Sequence, residues 1–190
     1  VPFFPTLKSN EIQKLLDFGD VEALFVGKLE NWEEMKKGVK DDMPIIAFPH
    51  YKDHSKVSEG KQWYDFINQF DPQTEDFKPK LKDIWTIIFT SGTTGDPKGV
   101  VLTYETLFNT KRITEDGNPL KVDLSGNNRF ISYMPLNHIF ERVVIEHVAL
   151  RYGGTISFVE SLETFGQNLN DTQPTACQGV PRIYSKFQEK

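Results

Sequence analysis

Short apolar runs alternate along this chain with amphipathic stretches of about ten residues, and that rhythm limits the folds open to it. Ala23 to Val26, Met43 to Phe48, Arg129 to Met134 and Thr155 to Val159 read as strands. Between them, Ile12, Leu15 and Leu16 share one face of a helix that Ser9 caps and that runs through Phe18 before Gly19 stops it. Asn31 caps a second helix through Val39, with Trp32 and Met35 on one side, and Trp63, Phe66, Ile67 and Phe70 mark a third. Thr103 caps a helix reaching Ile113, and His138 to Tyr152 is a helix stopped by Gly153-Gly154. Thr164 to Asn170 is a short helix, Thr175 to Gln178 a last strand, and Pro181 opens a terminal helix. Strands separated by helices predict an α/β fold, with a mainly parallel sheet and helices on its faces. The polar stretches 71–82 and 115–128 read as loops, and no internal repeat interrupts the pattern.

One passage departs from this rhythm in a way that suggests chemistry. Thr90-Ser91-Gly92-Thr93-Thr94-Gly95-Asp96-Pro97-Lys98-Gly99 lies between the apolar runs Ile84 to Phe89 and Val100 to Leu102, so it reads as a tight loop between two strands. Glycines let backbone N–H groups turn toward an anion, hydroxyls add donors that carry no charge to desolvate, and the ammonium of Lys98 supplies a cation. A Walker A loop requires G-x-x-x-x-G-K-[ST]. Counted from Gly92, the second glycine is replaced by Pro97, and Gly99 stands where the metal-binding hydroxyl should follow Lys98. Pro97 has no N–H to offer, so this phosphate cradle must be built differently. A plain polar turn uses the same residue types, but four hydroxyls, three glycines and a Pro-Lys-Gly close favour a ligand loop.

The stretch FTSGTTGDPKGVV, Phe89 to Val101, resembles the phosphate loop of the adenylate-forming enzymes: acyl-CoA synthetases, peptide-synthetase adenylation domains and luciferases. Pro135-Leu136-Asn137-His138-Ile139-Phe140-Glu141-Arg142 is similar to the P-L-x-H-x-F-E-R segment of the long-chain fatty acyl-CoA synthetases. Val180-Pro181-Arg182 with Lys186 resembles their V-P-R-x-x-x-K passage, and Val1 to Leu7 their V-P-x-Y-P-T-L segment. The likeness spans nearly the whole chain. It implies that residues 1–190 are one partial adenylation domain of the N-terminal part of such an enzyme, truncated at both ends, since the chain starts without methionine and stops inside a helix.

The resemblance further implies a two-step reaction. A long-chain fatty acid attacks the α-phosphate of ATP to give an acyl-adenylate and pyrophosphate, and coenzyme A then displaces AMP to give a thioester. Thr90, Ser91, Gly92, Thr93, Thr94, Gly95 and Lys98 would hold the ATP phosphates, with Mg2+ bridging phosphate oxygens through ligands outside this chain. Lys98 and His138 are the catalytic candidates, and no metal ligand is expected within the chain. His138 opens a helix whose N-terminus favours negative charge, while a histidine that only caps or packs that helix is the alternative. Glu141 and Arg142 are expected to form a local ion pair; Phe140, Val143 and Val144 are expected in the core, with the lining of an acyl tunnel as the alternative; Arg182 either positions a loop or makes a surface ion pair. Tyr104 stands where many members carry histidine, and a phenol, uncharged at neutral pH, cannot take over a charge-based role. Two other readings remain open. One adenylates an amino or aryl acid for a carrier-protein thiol, and the other makes the isolated chain a non-catalytic nucleotide-binding or inert piece.

Bulk properties exclude several classes. With 38% apolar and 26% charged residues the chain can build a core, and a net charge of −5 without a dense Lys/Arg cluster argues against a nucleic-acid surface. No stretch approaches the roughly 18 apolar residues of a membrane span, so a cytoplasmic enzyme is expected, with peripheral membrane contact left open. Cys177 alone excludes an internal disulfide, and its apolar neighbours suggest a small core residue. His50, His54 and His147 lack metal-ligand spacing.

Overall fold

Leu24–Val26, Ile45–Ala47 and Lys61–Gln62 form strands β1, β2 and β3 of a parallel sheet in that spatial order, with Leu24 opposite Ile45 and Ile46 opposite Lys61. The structure, a computed structural model, describes residues 1–50, 52, 54–91, 97–118 and 121–188; for Ser91, residues 111–114, Arg182 and residues 186–188 it describes the backbone alone. It divides into two units, residues 1–80 with 85–102, and residues 81–84 with 103–190. Parallel strand pairs with packed helices make the fold α/β, as the alternation predicts.

In the first unit the helix α1, Ser9–Phe18, buries Ile12, Leu15 and Leu16 on one face. Each such side chain contributes about 1.5–3 kcal/mol of hydrophobic stabilisation. Its core joins Ile12 and Leu16 to Val26, Trp32, Met35, Ala47 and Val57. The cap differs from expectation. Lys8 holds the N-cap position and its N–H donates to Glu11 Oε2 at 2.8 Å, so Ser9 is already helical. A carboxylate three residues on reaches back to the cap N–H more effectively than the Ser9 hydroxyl could from inside the first turn. The second helix, α2, covers only Trp32–Met35 and tightens into a 3-10 turn over Lys36–Gly38. Its buried indole, 2% exposed, donates to Glu59 Oε2 at 2.7 Å, while Lys36 Nζ donates to Glu59 Oε1 at the same distance. Glu59 therefore ties α2 to the strand-entry loop before β3, and Trp63–Ile67 follows as α3.

The strands β4, Ile84–Ser91, and β5, Pro97–Thr103, pair with each other. Phe89 is buried, its ring 5.9 Å from the rings of both Phe3 and Phe18, which fixes the end of β4 against the α1 region.

The second unit is organised around β6, Arg129–Ser132, paired in parallel with β7, Thr155–Phe158. Phe130, fully buried, packs with Val122, Ile145, Val148, Ala149 and Ala176; Ile131 packs on the other face with Val159 and Phe165. Asn128 braces the start of β6. Its Nδ2 donates to the carbonyls of Asp123 and Gly153, and its Oδ1 accepts from the Asp123 N–H. The helices are α4, Tyr104–Glu115; α5, Val148–Tyr152; α6, Phe165–Thr172; and α7, Pro181–Gln188. Directly before α5, Glu141–His147 is π-helical rather than part of a uniform α-helix.

Three sequence expectations are corrected here. Thr175 to Gln178 is not a strand; it makes a single parallel bridge, Ala176 to Phe130, held by the Arg129 N–H donating to Thr175 Oγ1 at 2.9 Å. Cys177 is exposed, because the extended backbone that turns Ala176 inward turns its neighbour out. Phe140 is also exposed, whereas Val143 and Val144 are buried as expected.

Two outcomes follow for the first unit. A Cβ on Gly38 would lie 1.9 Å from the Ser9 carbonyl oxygen, so Gly38→Ala should lower the unfolding free energy by about 1–3 kcal/mol in urea titration. The Lys36 ammonium and the Trp32 N–H hold the Glu59 carboxyl down from 4.5 to about 2. A depressed carboxylate contributes stability that is fully present above pH 4.5 and is lost as pH falls toward 2. Because the pair is a third exposed, solvent screening limits the effect to about 0.5–1 kcal/mol. Glu59→Gln should remove that pH-dependent part of the stability, measured as midpoint shifts between pH 7 and pH 3.

Candidate functional site

The phosphate-loop residues divide between described and undescribed positions. Thr90 is exposed at the end of β4, one residue beyond the anchored Phe89. Lys98 is exposed on β5 directly after Pro97, and among the described residues it has no ion-pair partner. Gly92, Thr93, Thr94 and Gly95 lie outside the described residues, as does the side chain of Ser91. The close approach of the two strands depends on Gly99, where an added Cβ would sit 3.1 Å from Ile87 Cγ2 and 3.4 Å from Phe89 Cε1. An exposed ammonium beside a fixed strand end can meet an anion at little desolvation cost.

His138 belongs to the second unit, in the turn between β6 and the helical segment. Its N–H donates to the Pro135 carbonyl at 2.9 Å, closing the turn, and its carbonyl accepts from the Arg142 N–H at 3.1 Å, starting the helix. Its ring caps that helix, with Nδ1 accepting from the Phe140 N–H at 3.3 Å. An Nδ1 that accepts must be unprotonated, which leaves the ring proton on Nε2. The capping role and a ligand role are therefore compatible: one nitrogen holds the helix while the other remains a donor. Asn137, beside it, is 3% exposed with its Oδ1 unpartnered.

The expected Glu141–Arg142 ion pair does not form. Arg142 reaches one turn forward to Glu146, with Nη1 to Oε2 at 2.9 Å. Glu141 points inward, 1% exposed, and neither carboxylate oxygen has a partner of hydrogen-bonding geometry. Burial pushes its pKa above the ordinary carboxylate range, and the Ser132 hydroxyl and the Met134 and Tyr133 N–H groups pull against that shift. With Ser132, Leu136, Ile145, Glu146, Ile156 and Phe158 it lines a cavity of about 180 Å³. Sequence reasoning missed this placement although the signal was present: Glu141, Val144, Ile145 and Val148 follow the i, i+3, i+4, i+7 spacing of a buried face.

Tyr104 begins α4, its N–H donating to the Asp83 carbonyl at 3.1 Å. Pro181 and Arg182 begin α7 as expected, while the side chains of Arg182 and Lys186 lie outside the described residues. Among the described residues no three His, Cys, Asp or Glu side chains cluster as a metal site, and no helix is long and apolar enough to cross a membrane.

A model of the AMP-binding enzyme family matches residues 1–190. Long chain acyl-CoA synthetase 1 of Arabidopsis thaliana is 29% identical over all of this chain and 30% of its own length. The long-chain-fatty-acid-CoA ligase ACSBG2 of Xenopus laevis is 31% identical over 85% of this chain and 24% of its own. The chain thus spans less than a third of these relatives. Among solved structures, the anthranilate CoA ligase AuaEII in complex with anthranoyl-AMP superposes with a TM-score of 0.77 at 18% identity, over 94% of this chain and 34% of that one. ATP-bound MatB from Rhodopseudomonas palustris gives 0.75 at 16% identity, over the whole chain and 36% of that protein.

The cap makes a stability prediction that is independent of any ligand. His138→Asn retains a capping acceptor and should change stability by only a few tenths of a kcal/mol, whereas His138→Ala should cost about 1 kcal/mol in denaturant unfolding.

Proposed function

Because the chain belongs to the AMP-binding enzyme family, we propose that it is the phosphate-gripping part of a long-chain fatty acid-CoA ligase. The whole protein would activate the fatty acid with ATP to an acyl-adenylate and pass the acyl group to coenzyme A. The observation that carries the reading is Lys98, an exposed cation with no ion-pair partner among the described residues, next to the strand end that Phe89 anchors. Similarity over 85–100% of this chain to relatives named as long-chain ligases supports the choice of acid.

The chemistry asks for charge and position more than for covalent help. A carboxylate oxygen must lie in line with the α-phosphate, and the negative charge that builds on the departing pyrophosphate must be met by donors and cations. In this reading the backbone and hydroxyls of Thr90 to Gly95 wrap the β- and γ-phosphates, and Lys98 meets the charge of the leaving group. His138, with its proton on Nε2, donates a hydrogen bond to the adenylate or to the acyl carboxyl, while Nδ1 stays committed to the helix. In the second step the coenzyme A thiol forms the thioester bond at the acyl carbon and AMP leaves. Mg2+ bound with ATP would offset phosphate charge; no residue of this chain is assigned to it, and no step is routed through it. A cytoplasmic location and membrane contact limited to the periphery belong to the same proposal, as does the placement of residues 1–190 within one adenylation domain.

In the full-length protein, fatty-acid-dependent ATP–pyrophosphate exchange should appear with long-chain acids, and Lys98→Ala should lower it about 100-fold. Exchange supported only by an aryl or amino acid would sink the long-chain reading. The 190-residue chain alone should bind Mg-ATP weakly in calorimetry, because the phosphate grip without a base pocket supplies few contacts; tight binding that survives Lys98→Ala would remove Lys98 from the site.

A further inference from the structure

Glu141 has no task in the chemistry above, yet its placement in the second unit is costly. An ionised carboxylate taken out of water without a cation loses several kcal/mol, and Arg142 is directed to Glu146 instead. Burial raises the pKa of Glu141 above the ordinary carboxylate range, which favours the protonated form, a form able to donate one hydrogen bond as well as accept. The groups that bear on it are the Ser132 hydroxyl at the end of β6 and the N–H groups of Tyr133 and Met134 just beyond. These residues lead directly into the Pro135–His138 turn. On the other side, Glu141 opens the π-helical segment, one turn after the His138 carbonyl that starts the helix.

The helix geometry explains why the group is there. In an α-helix, residues five apart lie about 140° from each other around the axis. Glu141 and Glu146 nevertheless line the same cavity, which the wider i→i+5 turn of a π-helix permits. The widened turn thus directs Glu141 beneath the strand end and leaves Glu146 to hold Arg142. Such turns are a local cost that tends to persist where it aims a side chain.

From the burial of Glu141, the unpartnered oxygens and the widened turn, we infer that Glu141 is a positioning residue that braces the segment Ser132–Asn137 from beneath and so fixes the ring of His138. Its catalytic consequence rests on the acyl-adenylation reading; its structural consequence does not. Loss of the brace lets the 133–137 segment settle into the cavity, loosening the Pro135–His138 turn and the Nδ1 cap together.

The test uses the full-length protein with its histidine ring nitrogens observed by 15N NMR, alongside steady-state pyrophosphate exchange. In the wild type and in Glu141→Gln, which keeps the shape and a donor, His138 should show an unprotonated Nδ1 and a protonated Nε2, with kcat within about threefold. In Glu141→Ala the two tautomers should average and kcat should fall about tenfold or more, with KM for ATP unchanged. Glu141→Leu, which refills the cavity without a polar group, should behave like the alanine variant even where alanine impairs folding. An unchanged His138 spectrum in the alanine and leucine variants overturns the inference, as does a glutamine variant as impaired as alanine. A wild type that shows the fixed tautomer but no fatty-acid-dependent exchange would instead overturn the functional reading and leave the brace intact.

Discussion

The second unit depends on one strand being buried from both sides. Phe130 and Ile131 face opposite ways from β6 and both are essentially inaccessible, so a helix must cover each face. On one side that helix is the 141–152 segment; on the other, α6 supplies Phe165. A parallel strand pair cannot be left bare, because its hydrogen-bonded backbone and apolar faces both need cover. Once β6 is fixed in this way, the residue after its end has little freedom. The chain must leave the strand at Ser132, turn within six residues and re-enter as a helix lying back across the strand it left. His138 occupies the corner of that path, and Glu141 is buried on the helix that follows, facing the end of β6.

The first unit solves an analogous problem with aromatic rings. β4 leads into the hydroxyl- and glycine-rich sequence that begins at Thr90. Phe89 supplies the anchor one residue earlier, wedged between Phe3 and Phe18. Gly99 on the paired strand keeps the space beside that ring open. The anchored part and the exposed part are thus adjacent in sequence but chemically separate: apolar residues fix the position of the strand end, and Thr90 and Lys98 remain at the surface. This division suits an anion grip, since a cation committed to an internal ion pair would have to break it on each binding event.

What was legible in the sequence follows the strength of each local signal. The span of α1 matched because Ile12, Leu15 and Leu16 set a clear helical face and Gly19 ends it. Its cap was misassigned because Ser9 and Glu11 both make cap signals, and the carboxylate reaches the N–H from one turn away. The alternation that predicts a parallel sheet was sound, but four residues at Thr175 were too few to distinguish a strand from one bridge. Near His138, the motif identified the residue but could not reveal its tautomer, which depends on a 3.3 Å contact to the Phe140 N–H. The Glu141–Arg142 pairing looked natural because the two are adjacent. Adjacent helical side chains point about 100° apart, however, and Arg142 found its partner at i+4.

The same adjacency separates the functional face of this helix from its structural one. His138 commits Nδ1 to the backbone, so the orientation of its ring is only as firm as the turn that carries it. That turn has no disulfide, and its apolar residues Leu136, Ile139 and Phe140 are exposed. Buried polar groups nearby include the Asn137 amide, the Ser132 hydroxyl and the Glu141 carboxyl. A hydrophobic residue at position 141 would fill the space and would ordinarily be the more stable choice in a buried helix face. A carboxyl here instead places polar atoms beside the end of β6, next to the residues that lead into the turn carrying His138.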